Sequence, residues 1–144
     1  MFGMPIRSVI EPRHLVVAPP QASITDAARR MKDGKVGAVL VVEEDRLIGI
    51  FTERDALYRV MAAHRDPRVT TLAEVMTRDP KTVAPDETLG YALLLMHEHG
   101  FRHLPVVEDG RPVGVVSARS ALDPDLEEFT AEAERRKHIR RRAS

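Results

Sequence analysis

Thr52 and Asp55 stand three residues apart, where the run Gly49-Ile50-Phe51 gives way to a helical pattern. A hydroxyl and a carboxylate at this spacing can close a helix N-terminus, each side chain accepting the other's backbone N–H. The same helix end can also hold a ligand, and the spacing leaves both readings open. The stretch returns as Gly114-Val115-Val116-Ser117-Ala118-Arg119-Ser120. Glycine, apolar pair, hydroxyl and arginine recur, but the carboxylate does not. Arg102 and His103 add a fixed cation and an imidazole in a different part of the chain.

Other chemistries lack their residues. There is no cysteine, no G-x-S-x-G, no P-loop and no H-E-x-x-H, so no catalytic residue and no enzyme is expected. His97, His99 and His103 could suggest a metal. However, His97 and His99, two apart on a helix, face different ways, and no carboxylate has a ligand spacing to them. The reading is no metal and no catalytic cofactor. Met31, Met61, Met76 and Met96 fall at apolar helical positions and are expected in the core.

The chain has 144 residues, 43% of them apolar, with 22 Lys+Arg against 22 Asp+Glu. A core can form, and the balanced charge removes a global argument for nucleic acid. Aromatics make up 4% of the chain, with no Trp, so stacking platforms for single strands are scarce. No apolar run approaches the roughly 20 residues of a membrane span, and residues 1–10 show no apolar signal region. The expected setting is cytoplasmic, with no membrane partner.

The elements come from a repeat. Residues 23–57 align with 88–122 at a constant offset of 65, with ten identities in 35 columns; chance would give roughly two. Upstream, Val9-Ile10 faces Val75-Met76 and Val17-Ala18-Pro19 faces Val83-Ala84-Pro85, one residue out of register. Each copy begins with an extended piece ending at proline (15–19; 81–85). An amphipathic helix follows, with Ile24, Ala27, Ala28, Met31 and Leu89, Ala92, Leu93, Met96 at i, i+3, i+4, i+7. Ser23 and Asp26 resemble a capping box. Strands follow at 36–43 and 47–51, and at 101–108 and 112–116. Glu44-Asp45 and Asp109-Gly110 turn between them. A second helix is expected over about 53–64, and a short one over 118–122 before Asp123-Pro124. Residues 72–76 should form a helical turn docked on the second copy. Three segments result: 1–65, 66–123, and a charged helical tail at 124–144, acidic first and basic last as the helix dipole favours.

The order strand–helix–strand–strand–helix, with G-h-h-[ST]-x-x-[DN] closing each unit, resembles the CBS domain. The tracts V-M-T-R-D-P-K-T-V-A-P-D-E-T-L (75–89) and G-F-R-H-L-P-V-V-E-D-G-R-P-V-G-V-V-S (100–117) carry the resemblance most specifically. Two such domains in tandem resemble a Bateman module. The resemblance implies an α/β (α+β) fold, two β-α-β-β-α units packed about a pseudo-twofold axis, and clefts between them that hold adenine nucleotides. It also implies homodimers that form four-domain discs.

By the same resemblance, one cleft should carry the site. Thr52 and Asp55 would hold phosphate and ribose. The extended piece Lys81-Thr82-Val83 would present backbone to adenine. Ile50, Phe101 and Pro105 would wall the base, Arg102 and His103 would face the phosphates, and Arg119 would add a cation. The pseudo-symmetric cleft should be poorer: Ser120 replaces Asp55, Gly37-Ala38 replace Arg102-His103, and Arg54 is its remaining cation. The implied function is a regulatory sensor of AMP, ADP, ATP or another adenosyl ligand such as NAD or S-adenosylmethionine, acting in trans on a regulated partner that the sequence does not name. The alternative is a ligand-independent dimerisation scaffold. A nucleic-acid regulator acting through Arg135-Arg136-Lys137 and Arg140-Arg141-Arg142 fits the neutral charge least.

Overall fold

A computed structural model describes residues 2–119. Ser120, most of the expected helix at 118–122 and the tail at 124–144 lie outside the described residues. Two 3-10 turns (Ile6–Ser8, Pro12–His14) precede β1 (Val17–Ala18), α1 (Ile24–Gly34), β2 (Ala38–Glu43), β3 (Arg46–Thr52) and α2 (Glu53–Asp55). Then come α3 (Leu72–Val75), β4 (Thr77–Arg78), α4 (Leu89–His99), β5 (His103–Glu108) and β6 (Arg111–Ser117). The fold is of the expected α/β class.

The two long helices form where their caps and apolar stripes agree. Ser23 Oγ accepts the Asp26 N–H at 3.1 Å, and Thr88 Oγ1 accepts the Tyr91 N–H at 3.2 Å. The capping box on α1 is only half made, because the Asp26 carboxylate accepts from Arg30 Nε instead. Ile24, Ala27 and Met31 are buried, as are Leu89, Ala92 and Met96; Ala28 is exposed.

β1 runs parallel to β2, β2 is antiparallel to β3, and β3 is antiparallel to β4. In the second copy β5 and β6 pair, and Val83 adds a parallel bridge to Val106. Ala38, Val39, Leu40 and Val41 are all buried, because both faces of β2 are covered. Side chains alternate across a strand, so Val39 and Val41 join the helical core while Ala38 and Leu40 pack with Ile50, alongside Leu15 and Leu47, against Val115 of the second copy's sheet. Glu44 and Asp45 both have positive φ, as do Asp109 and Gly110, which is the twist that a two-residue hairpin needs.

The two copies exchange their leading segments. Leu72, Val75 and Met76 pack with Ala18, Ile24 and Phe51, so the turn expected on the second copy docks on the first. Ile6, Val9 and Ile10 pack with Val83, Leu89 and Leu104. The bridges Ser23↔Thr71 and Pro5↔Thr88 tie these crossings at corresponding places. The repeated glycines follow from this. A Cβ on Gly49 would lie 2.5 Å from Met76 Sδ, and one on Gly114 would lie 2.8 Å from Ile10 Cδ1. Each glycine leaves room for the segment arriving from the other copy.

The expected second helix departs from the α pattern. After α2 the chain continues as a π-helix at Ala56–Met61, and the Ala62 N–H reaches the Leu57 carbonyl at 2.8 Å. The wider turn abandons the 3.6-residue period. Val60 is buried, whereas Leu57, Tyr58 and Met61 face solvent. Met61, expected in the core, is 70% exposed.

Candidate functional site

Two cavities lie where the copies face each other. One, of about 480 Å³, opens at the end of β3; the other, of about 540 Å³, opens at the end of β6. Both fall in the size range of small-molecule sites.

The β3 cleft gathers Ile50, Thr52, Asp55, Lys81, Phe101, Arg102 and His103 from the expected set. Thr52 is the N-cap of α2 and closes a full capping box with Asp55. One Asp55 oxygen accepts from the Thr52 N–H at 2.9 Å and from its hydroxyl at 3.1 Å. The other faces Arg59 Nε at 3.5 Å. The carboxylate is thus oriented from three directions, and its side chain is 14% exposed. Phe101 stacks on His99, with ring centroids 5.5 Å apart and 10° between planes. Behind Ile50 and Phe101 the wall is apolar; around it stand Arg54, Lys81 and Arg102 and the carboxylates Glu53, Asp55 and Asp79. Arg54 also reaches across to the Gly100 carbonyl at 3.5 Å.

Four expected residues are elsewhere. Val83 and Pro105 are buried in the second copy. The Val83 N–H donates to the Pro105 carbonyl at 3.0 Å, and the Val83 carbonyl accepts from the Val107 N–H at 2.8 Å. Those backbone groups are engaged within the sheet, and neither Val83 nor Pro105 lines the β3 cleft. Thr82 is exposed and does not line the cavity. Arg119, just beyond the end of β6, lines the β6 cleft instead.

The β6 cleft corrects the expectation of a cation-poor site. Among its described lining residues are Arg13, Lys35, Arg102 and Arg119, against the single carboxylate Glu53. Arg54 is absent from it. Lys35 enters because it caps α1 in the left-handed conformation, φ 55°. Arg13 pairs with Glu11 beside the cleft. The two clefts are built from repeat-equivalent positions: Ile50/Val115, Thr52/Ser117, Arg54/Arg119, Phe101/Val36, Asp79/Arg13 and Pro80/His14 line corresponding places, whereas Lys35 has no counterpart in the β3 cleft.

Glu53, Arg102 and His103 line both cavities. Burial pushes the His103 imidazole below its ordinary value of 6.5, against the pull of Glu53 and with a small push from Arg102. Gly37 makes room for this wall. A Cβ there would stand 2.9 Å from His103 Nε2 and 3.1 Å from Glu53 Oε1. Among the described residues no cluster of three His, Asp or Glu could hold a metal ion. No helix among them is long and apolar enough to cross a membrane.

A family model of the CBS domain matches the chain twice, over residues 6–62 and 72–125. A 17.7 kDa protein of Acidianus ambivalens is 35% identical over 133 residues, covering 88% of this chain and 79% of its own. Other curated relatives are much longer, and the chain spans only 17% to 22% of three of them. A conserved protein of Pyrococcus horikoshii of known crystal structure superposes with a TM-score of 0.80 at 27% identity, over 87% of this chain and 94% of its own. The CBS domain pair of the protein MJ0100, solved with 5′-methylthioadenosine and S-adenosyl-L-methionine, superposes with a TM-score of 0.73 at 25% identity, over 81% and 95%.

Proposed function

We propose that this chain, which belongs to the CBS-domain family as a tandem pair, is a regulatory module that binds an adenosyl ligand in its β3 cleft. One observation carries the reading. An apolar slot at Ile50 and Phe101, an oriented carboxylate at Asp55 and three cations meet in one cavity of ligand size. A purine needs the slot, a ribose diol needs the acceptor, and phosphates need the cations. The MJ0100 pair, solved with two adenosyl compounds, supports the reading. AMP, ADP or ATP fits the three cations best; NAD and S-adenosylmethionine share the adenosine part. The β6 cleft, with its excess of cations, is a second anion receptor. The ligand acts on a partner in trans by biasing one arrangement of the copies, to the extent that it binds the arrangements unequally.

The test is a thermal melt with each adenosyl compound, together with mass spectrometry of small molecules that co-purify. A ligand at a hundred times its Kd should add about 2.7 kcal/mol to stability. If no compound shifts the melt, the reading fails.

A second reading rests on a different surface. Leu57, Tyr58 and Met61 on the π-helix and Val69 beyond it are exposed, and clustered apolar exposure marks interaction surfaces. It supports self-association of this chain into a homodimer. If the melt stays fixed while the chain is dimeric, a ligand-independent scaffold is the better account.

A further inference from the structure

The two clefts are not separate compartments. Their common wall is Glu53, Arg102 and His103. His103 is held toward its neutral form by burial. That leaves Arg102 as the fixed positive charge that both cavities share among the described residues. The Arg102 carbonyl accepts the Ala118 N–H at 2.9 Å, but its exposed side chain is tied into neither wall, so its guanidinium can turn to either side.

We propose that Arg102 makes the two clefts compete: an anionic ligand in one weakens anion binding in the other. The proposal rests on the adenosyl reading of the β3 cleft and adds its regulation. A guanidinium binds a phosphate bidentately through one planar fork. Once turned toward a phosphate in the β3 cleft, it no longer presents that fork to the β6 cleft. If two phosphates approached it from opposite sides, they would carry like charges at short range beside Glu53, which is also negative. Both cases raise the free energy of the doubly occupied state. The linkage is reciprocal, so either ligand weakens the other by the same factor. The cations belonging to one cleft alone, Arg54 and Lys81 for β3 and Arg13, Lys35 and Arg119 for β6, set each affinity without coupling them.

The test is a methyl-labelled NMR titration of the full chain with AMP, in which Ile50 reports the β3 cleft and Val36 the β6 cleft. The Val36 midpoint is compared with that in Arg54→Ala/Lys81→Ala, which disables the β3 cleft without touching the other. Disabling it should tighten binding at Val36 by about fivefold or more. In an Arg102→Gln background the same double substitution should leave the Val36 midpoint within about twofold. An unchanged midpoint in the first comparison, or an equal shift in both backgrounds, overturns the competition. A response at Ile50 alone overturns it and leaves the adenosyl reading of the β3 cleft intact. A response at Val36 alone, or at neither, ends both.

Discussion

Asp55 holds its own helix end and is also proposed to hold a ribose, and two substitutions separate these roles. In Asp55→Asn the amide oxygen can still accept from the Thr52 N–H, now at 2.9 Å, so the cap survives. The contact to Arg59, at 3.5 Å with Arg59 half exposed, belongs to the class of surface pairs worth about 0–1 kcal/mol. Asp55→Asn should therefore change stability by no more than about 1 kcal/mol. Its effect on ligand should be larger. A hydrogen bond to a charged group contributes about 1.5–3 kcal/mol, and losing the charge should weaken AMP roughly ten- to hundredfold. Asp55→Ala removes cap and charge together. It should lose about 1 kcal/mol through the cap, or about 2–4 °C in Tm, and at least as much AMP affinity as Asp55→Asn. The assays are calorimetric AMP titration and urea unfolding of the same preparations. Wild-type AMP affinity in Asp55→Asn, beside a destabilised Asp55→Ala, would show that the carboxylate only caps.

Three further outcomes follow from the packing. Gly49→Ala places a methyl 2.5 Å from Met76 Sδ and 3.0 Å from the Thr77 carbonyl; it should cost about 1–3 kcal/mol. Adding Met76→Ala should then cost less than it does in the parent chain, as urea unfolding of the double-mutant cycle will show. Because burial lowers the His103 pKa, the unfolded chain takes up the proton first as pH falls below 6.5, so this group's contribution to stability is full above that pH and is lost below it. His103→Gln should flatten that part of the stability–pH curve; an unchanged slope by urea unfolding above and below pH 6.5 counts against the assignment. Met61→Glu, at a site 70% exposed, should leave the melt nearly unchanged but shift sedimentation toward monomer, and an unaltered dimer would place self-association elsewhere.

Much of the fold was legible because its signals are local. Ser23 and its apolar stripe placed the start of α1, the stripe from Leu89 to Met96 placed α4, and the turn residues Glu44-Asp45 and Asp109-Gly110 located both hairpins. Thr52 and Asp55 were legible for the same reason, since a capping box needs nothing beyond four consecutive residues. The π-helix was not. Leu57, Tyr58 and Met61 carry the apolarity of a buried face, and only the wider turn, with Val60 buried and Ala56 packed beside it, turns them to solvent. The β3 cleft was partly legible: the expected residues that line it do so, while Val83 and Pro105 are taken by a sheet bond invisible in either segment alone.

What the chain's order of residues determined by itself is the unit and its duplication, because hydrophobic period and capping act over a few neighbours. What tertiary structure decided is the traffic between copies. Val9-Ile10 and Val75-Met76 have nearly the same pattern, so nothing local says which core each enters; in the fold each crosses to the other copy. The same ambiguity hid the placement of Arg54 and Arg119, equivalent residues that enter different clefts. It also hid the arrival of Arg13 and Lys35 beside Arg119. A repeat makes two surfaces almost alike, and only the packing of the whole chain chooses between them.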